Sequence, residues 1–365
     1  MRKSGQPGVA EVVREQAASC AEHGSPLYGV LLARLADDVE AGGPGAQVLA
    51  GHEDDAVDSA LALRLAGAVH RVALEGRAPR LAAHYPSTGG DGDAEAAWPA
   101  FRAVLADALE EVRAGLAGAP QTNEVGRCAG LLPAVLLASR DTSGPQGPLP
   151  VRLVEIGTSA GLNLRSDAYR YQVGDGPGAP GWGPPGSPVV LDPAWEQAPP
   201  WLASSPQALD VVERLGADLH PLDPTSEEGA LTLTSYVWPD QAQRLARLRG
   251  ALEVARSVPA RVVRTSAADL LEGLELTEGV LTVVQHSVVW QYVSAPEQQR
   301  VRARLRELGR GASAARPLAH VAVEPHQHAP GRPGAFLVTL RTWPGGEEQV
   351  LGEARPHGIP VTWER

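Results

Sequence analysis

The apolar residues in the first part of the chain recur at helical spacing. Val9, Val13 and Ala17 repeat every four positions within residues 9–23, which is typical of an amphipathic helix. The same spacing predicts further helices over residues 27–40, 54–75, 98–116 and 124–137. Because no strand-like alternation occurs before residue 150, we predict a helical domain over residues 1–145.

The pattern changes after a glycine- and proline-rich joint at residues 143–150. Short valine-rich segments predict strands at 151–156, 261–266, 280–285 and 319–324, and helical segments at 268–274 and 296–308 lie between them. Strands that alternate with helices form parallel sheets, so we predict an α/β domain over residues 146–365 with a doubly wound, mostly parallel sheet. Residues 335–342 and 359–363 are also predicted strands, and turn residues that include WPGG lie between them. We therefore predict that the last strand of the sheet is antiparallel.

A loop dense in glycine and proline occupies residues 174–187. It separates two short segments, 169–173 and 189–192, and predicts the tip of a hairpin between them. We therefore expect a hairpin insertion near residues 169–192 of the α/β domain.

Composition excludes several classes of protein. The chain has 365 residues and a formal net charge of −11, and it shows no basic stripe, so nucleic acid is not an expected partner. Its two cysteines are far apart and predict neither a disulfide framework nor a metal site. The longest apolar runs are shorter than the roughly 20 residues that span a bilayer. We predict a cytoplasmic protein that acts on a small molecule without a membrane partner.

The sharpest local signal lies where the first predicted strand ends. Glu155 is followed by a turn of small residues that includes Gly157, Thr158, Ser159 and Gly161. Glycines let a ligand approach the backbone, and N–H groups at the start of a following helix attract anions. Glu155 is placed to neutralise a cation such as an amino group.

This acid followed by small residues resembles motif I of the S-adenosylmethionine-dependent methyltransferases. The resemblance implies a Rossmann-like methyltransferase sheet, with Glu155 near the methionine amino group of the cofactor and the glycine turn facing it. Ser159 stands where that family usually has its middle glycine, and this argues against a dinucleotide, whose pyrophosphate needs a closely fitting turn.

Two further acids are candidates for binding the rest of the cofactor. Asp218, in a Gly-Ala-Asp sequence, resembles the acid that binds the ribose hydroxyls, although it lies beyond the usual spacing of about 20 residues. Asp192 and Asp223 are rivals for that role. Asp269 is either an acid near the adenine amino group or the N-cap of the helix that begins there.

Polar and aromatic residues follow the strand at 280–285. His286 is a candidate general base, because the pKa of histidine lies near neutrality. Ser287, Trp290 and Tyr292 are expected to line a substrate pocket, since ligands bind beyond the carboxyl ends of such strands.

Residues at the start of two predicted helices are the remaining candidates for substrate binding. Asn123, Glu124 and Arg127 precede the joint, and Trp238 and Asp240 precede a helix at 241–256. Helix capping is an alternative explanation of these side chains.

The motifs together resemble the bacterial family known as domain of unknown function 2332. They are TNEVGR, LVEIGTSAGLNL, SYVWPDQ, VVQHSVVWQYV, TWPGG, SPLY and HYPS. The resemblance covers nearly the whole chain and implies one coherent two-part protein, but it supplies no reaction.

We therefore expect methyl transfer from S-adenosylmethionine to a small polar molecule. One alternative is a cofactor-degenerate binding or interaction module on the same fold. Another is a metal-dependent hydrolase that uses Glu324, His326 and His328, although the spacing of these residues reveals no further ligand.

Overall fold

The computed structural model describes residues 8–52, 60–144, 147–174, 181–326 and 335–364. The chain divides into two compact units. The helical unit comprises Met1–Thr122 and Glu227–Ala246, and the sheet unit comprises Asn123–Ser226 and Arg247–Arg365. The chain thus leaves the helical unit at residue 122, ahead of the joint at 143–150, and returns to it for one later segment.

The helical unit is built from amphipathic helices. They are α1 (Val9–Glu22), α2 (Pro26–Glu40), α3 (Pro44–Leu49), α4 (Leu61–Leu74), α5 (Pro79–Ala82), α6 (Ala94–Asp107), α7 (Leu109–Ala114) and, after the first strands of the sheet, α9 (Glu227–Ser235). Residues 54–59 of the helix predicted over 54–75 lie outside the described residues. Ser25 caps α2 by accepting a hydrogen bond from the Tyr28 N–H. The apolar faces of α1 to α7 meet in one core, in which Leu31 and Leu65 are fully buried.

A buried histidine, His70, bonds the later segment of the helical unit, Glu227–Ala246, to α4. His70 of α4 lies with Nδ1 3.0 Å from the carbonyl of Ser235, at the end of α9. Its Nε2 lies 2.8 Å from the Ser87 hydroxyl. Burial lowers the pKa of His70 to about 4, so the ring is neutral, with Nδ1 donating to the carbonyl and Nε2 accepting from the hydroxyl.

The sheet unit contains an 11-stranded sheet in the order β3-β2-β4-β11-β10-β9-β8-β7-β1-β5-β6. The strands are β1 (Val151–Ile156), β2 (Arg170–Val173), β3 (Gly181–Trp182), β4 (Val190–Trp195), β5 (Val211–Asp218), β6 (Arg261–Arg264), β7 (Leu281–Ser287), β8 (Leu318–His326), β9 (Ala335–Trp343), β10 (Glu348–Ala354) and β11 (Val361–Trp363). The protein is therefore a mixed α/β protein with a helical N-terminal region and a mostly parallel sheet.

Five neighbouring strands, β6-β5-β1-β7-β8, are all parallel. The chain starts at β1, moves outward through β5 to β6, and then crosses back to β7 and β8 on the other side of β1. β9 follows antiparallel to β8, and β10 is antiparallel to β9. The last strand, β11, is antiparallel to β10. β10 was not expected from the sequence.

The prediction that residues 169–173 and 189–192 form the two arms of a hairpin is wrong. β2 and β4 pair in parallel, with Tyr171 opposite Leu191, so they are not the arms of a hairpin. The antiparallel partner of β2 is β3 instead. A Cβ atom on Gly181 would lie 1.8 Å from the Tyr171 carbonyl oxygen, so only glycine permits this close pairing.

Helices pack on both faces of the sheet. The remaining helices are α8 (Cys128–Asp141), α11 (Ala267–Glu272) and α12 (Ala295–Gly311), together with α10 (Ala242–Ser257), whose residues up to Ala246 belong to the helical unit. Gly130 of α8 packs against Val323, whereas α11 and α12 share a core with Val154 and Val284, which point to the opposite face. No helix in the described ranges has the length and apolar character needed to cross a membrane.

Candidate functional site

The small-residue turn after β1 has a left-handed backbone. Gly157, Ser159 and Gly161 have φ angles of 65°, 54° and 70°. Glycine adopts such angles without strain, whereas Ser159 does so at a cost. The helix predicted after the turn is the 3₁₀ helix Leu162–Ala168, which is interrupted by a kink at Arg165.

The backbone N–H groups of this turn are bonded to the protein's own side chains. Asp218 Oδ2 accepts from the Ser159 N–H over 2.8 Å. The side-chain oxygen of Asn123 accepts from the N–H groups of Ala160 and Leu162, over 3.2 and 2.9 Å. These three N–H groups are therefore already bonded within the chain, and the acceptor of the Ser159 N–H is itself a carboxylate.

The space beside the first glycine is filled. A Cβ atom built on Gly157 would lie 2.0 Å from Cγ2 of Val289, so the glycine permits close contact with that side chain. A Cβ atom on Gly161 would lie 3.0 Å from Cγ2 of Val262. Packing and backbone conformation are thus sufficient reasons for both glycines.

Glu155 is a buried carboxyl on the α8 face of the sheet. It is 2% exposed, and its Oε2 accepts from the Thr158 hydroxyl over 2.5 Å. Burial raises the pKa of Glu155 to about 8, although the Thr158 hydrogen bond and the nearby Arg165 guanidinium act in the opposite direction. Glu155 is therefore mostly protonated at neutral pH in the state described.

Of the three ribose candidates, Asp218 is the one whose carboxylate binds the turn. It ends β5, the neighbour of β1, and its Oδ1 also accepts from the His220 N–H over 2.8 Å. Asp223 closes a turn of its own by accepting from the N–H and hydroxyl of Thr225. Asp192 lies within β4, which six strands separate from β5 in the sheet order.

Asp269 does not cap the helix α11. Ser266 is the N-cap, and its hydroxyl accepts from the Asp269 N–H, so the alternative that Asp269 caps this helix is wrong. The exposed carboxylate of Asp269 instead pairs with Arg300 of α12 over 2.7 Å. A role beside the adenine amino group stays a prediction.

His286 lies on the face covered by α11 and α12, opposite to Glu155. Its Nδ1 is 2.7 Å from Glu324 Oε1, and its Nε2 is 3.1 Å from Nε2 of His320. The Trp290 ring stacks on it with centroids 5.0 Å apart. Both ring nitrogens of His286 therefore already have partners within the chain, Glu324 at Nδ1 and His320 at Nε2.

His320 was missed by the sequence interpretation. Burial and the neighbouring His286 lower its pKa to about 3, so this ring is neutral. A signal for it exists: His320 and Glu324 are an even number of residues apart on β8, which puts them on one face of the strand.

Residues 123–127 lie at the carboxyl edge of β1 and β7. Glu124 caps the short 3₁₀ helix Val125–Arg127 by accepting from the Gly126 N–H over 3.1 Å. The Arg127 guanidinium donates to the Ser287 carbonyl over 3.5 Å. Asn123, Glu124 and Arg127 therefore belong to the sheet unit, as do the glycine turn, Asp218 and Ser287.

A family model matches nearly the whole chain. The model describes an uncharacterized protein conserved in bacteria, DUF2332, and it matches residues 10–363. The chain belongs to the DUF2332 family. No curated protein and no solved structure matches it.

Two candidate substrate residues lie in the helical unit of this DUF2332 protein. Asp240 accepts from the Ser25 hydroxyl over 2.6 Å and from the Leu27 N–H over 3.0 Å, which anchors the start of α2. Trp238 is buried in the helical core, with its ring 6.4 Å from that of Tyr28. Both side chains are explained by packing and capping within that unit.

The aromatic residues after β7 of the DUF2332 chain are partly exposed. Trp290 and Tyr292 belong to one 3₁₀ turn, and Tyr292 is 42% exposed. The Arg302 guanidinium lies 5.2 Å from the centre of the Trp290 ring, a cation–π contact.

The metal alternative rests on residues at the end of β8. His326 ends that strand, and His328 lies outside the described residues. Within the described residues, no three His, Cys, Asp or Glu side chains are grouped so that they could hold a metal ion. Glu324 instead binds His286.

Proposed function

We propose that the carboxyl edge of the parallel strands binds S-adenosylmethionine and that the chain transfers its methyl group to a small polar molecule. The observation that supports this most is the pair of carboxyl groups, Glu155 and Asp218, near the ends of two neighbouring parallel strands on either side of the glycine turn. Ligands of open α/β sheets bind beyond the carboxyl ends of the strands where the strand order reverses, and it reverses here at β1.

The strand order adds support by analogy of fold. Counted along the chain, the five parallel strands stand third, second, first, fourth and fifth, which is the doubly wound order. The antiparallel β9 beside the fifth strand resembles the end of a methyltransferase sheet. A shared fold is weak support for a shared reaction, so binding must be tested directly.

The carboxyl groups of the site are of the type that the cofactor requires, but the space that the cofactor would occupy beside the turn is filled. Glu155 suits an ammonium group when it is ionised, and Asp218 suits ribose hydroxyls, as in the family that motif I resembles. Val289 fills the side of Gly157, however, and Asn123 covers two N–H groups of the turn. In the arrangement described, the turn does not accommodate the cofactor, so we assign no catalytic step and no proton transfer to His286.

A second function is favoured by the same two contacts. Because Val289 and Asn123 occupy the turn from within the chain, the fold also suits a protein that no longer uses the cofactor. Such a protein would bind another small molecule or a protein partner on the same fold.

Calorimetry on the full chain distinguishes these two functions. We expect saturable heat with S-adenosylmethionine and with its demethylated product, and tighter binding to Val289→Ala, in which the side chain over Gly157 is shortened. Glu196→Gln, which changes an exposed carboxylate directly after β4, is the matched control and should bind as the wild type does. Absence of heat from both ligands with both wild type and Val289→Ala would contradict the proposal and favour the second function.

A further inference from the structure

The three residues Val288–Trp290 form the segment that covers the glycine turn. They follow β7 directly, and Val289 supplies the side chain that packs on Gly157. Val288 has a φ angle of 51°. A β-branched residue in the left-handed region is a genuine outlier, so this segment is held in place against backbone strain.

One carboxylate supplies much of the restraint. Glu324 Oε1 accepts from the Val289 N–H over 3.0 Å and lies 2.7 Å from His286 Nδ1. Its Oε2 accepts from the Trp290 N–H over 3.4 Å. Glu324 therefore ties the segment to β8 and to the end of β7 at the same time.

Further contacts lie at the two ends of the segment. The Val288 N–H donates to the Val323 carbonyl over 3.0 Å, and the Gln298 side chain donates to the Trp290 carbonyl over 2.9 Å. All three residues of the segment are nevertheless partly exposed. Segments that bury little apolar surface open locally at a much lower free energy than the whole domain unfolds.

We propose that Val288–Trp290 is a latch over the glycine turn, that Glu324 is the positioning residue that holds it closed, and that it opens while the sheet stays folded. Its opening would uncover Gly157 for a ligand. That ligand's identity, a sulfonium nucleoside, rests on the proposed function, whereas the latch itself does not.

Hydrogen exchange followed by mass spectrometry, without any ligand, tests the latch. In the wild type, the Val289 and Trp290 amides should exchange at least about tenfold faster than the amides of β1. Glu324→Gln should increase that exchange by about another tenfold, because a neutral amide is a weaker acceptor for the two N–H groups and for the His286 ring. The amides of β1 and α8 should be unchanged.

A second variant acts in the opposite direction and does not depend on Glu324. Val288→Asn should slow exchange of the Val289 and Trp290 amides, because asparagine tolerates the left-handed region better than valine. Val293→Asn is the matched control, since Val293 has an ordinary φ of −89° and no such strain to relieve.

Two results would overturn the latch. One is exchange of the Val289 and Trp290 amides in the wild type only at the rate of the β1 amides, which would mean that they open only when the sheet unfolds. The other is unchanged exchange in both Glu324→Gln and Val288→Asn. Failure of S-adenosylmethionine to bind Val289→Ala, with the expected exchange results, would reject the proposed ligand and leave the latch standing.

Discussion

The side-chain oxygen of Asn123 accepts a hydrogen bond from the N–H of Leu162, 39 residues further along the chain, over 2.9 Å. Asn123 has a φ angle of 36° and is 8% exposed. The residue that the sequence suggested for substrate binding therefore helps to shape the glycine turn, because its side chain replaces water as the acceptor for two backbone donors.

We expect Asn123→Ala to lower the free energy of unfolding by about 3 kcal/mol. The substitution leaves the N–H groups of Ala160 and Leu162 without their acceptor, and each such loss costs roughly 1–3 kcal/mol. Urea denaturation measures the change. Asn123→Asp keeps an oxygen at the same place and should be much less destabilising, and equal losses in the two variants would count against this role of the side chain.

The stability of the protein should depend on pH through Glu155. Its pKa is about 8 in the folded state, whereas the ordinary value for a glutamate, which applies to the unfolded chain, is 4.5. Between these values the unfolded chain binds fewer protons than the folded chain, so this group makes stability fall as pH rises, by up to about 1.4 kcal/mol per pH unit, until about pH 8.

Glu155→Gln removes this contribution because glutamine does not titrate. Denaturation of both proteins at several values from about pH 5 to about pH 8 should show the variant gaining stability relative to the wild type as pH rises. Parallel stability profiles for the two proteins would mean that the carboxyl of Glu155 is not buried as described.

Asp240 is expected to act on stability and not on ligand binding. Asp240→Ala removes the acceptor of the Ser25 hydroxyl and the Leu27 N–H and should cost about 2 kcal/mol. Faster amide exchange should be concentrated in α1 and α2. Asp37→Ala, which breaks an exposed ion pair with Arg14 in the same unit, is the control and should cost much less, because water screens such pairs. An unchanged unfolding free energy for Asp240→Ala would restore Asp240 as a candidate for binding.

Ser159 and Ala160 should respond to glycine in opposite ways. Ser159→Gly relieves a left-handed backbone, worth about 1–2 kcal/mol, against an entropy cost of about 0.5–1 kcal/mol, so its stability should equal or slightly exceed that of the wild type. Ala160→Gly gains no such relief and should be destabilised. Thermal unfolding of the two variants measures the difference, and a clear loss in Ser159→Gly would show that the serine side chain outweighs the backbone strain.

Much of the parallel sheet could be predicted because its signals are local. The segment at β1 is apolar and ends at a glycine turn, and β7 and β8 are valine-rich segments with a helix between them. β10 has no such signal, because Glu348, Gln349 and Val350 are exposed. Its backbone hydrogen bonds come from β9 and β11, so it depends on strands that the local pattern does not identify.

Pairing between distant segments was the main limit of the sequence interpretation. The short segments of β2 and β4 are as compatible with a hairpin as with the parallel pair observed, and the stacking of Tyr171 on Trp195 becomes apparent only in three dimensions. The candidate site shows the same limit. The sequence identified the turn, Asp218 and Asn123 as candidates, but it did not indicate that the side chains of Asn123 and Val289 cover the turn.

The division of the helical unit into two stretches of sequence has a consequence for synthesis on the ribosome. The Leu27 N–H meets its acceptor only when Asp240, 213 positions later, has been made. Strands β1 to β5 are made in the interval, so the first helices emerge long before their core can be completed. A nascent chain that stops at the joint lacks Trp238 of the helical core, the Asp240 carboxylate that anchors α2 and the Ser235 carbonyl that His70 binds. We therefore expect the packing of the first helices to be completed only after residues 227–246 have emerged.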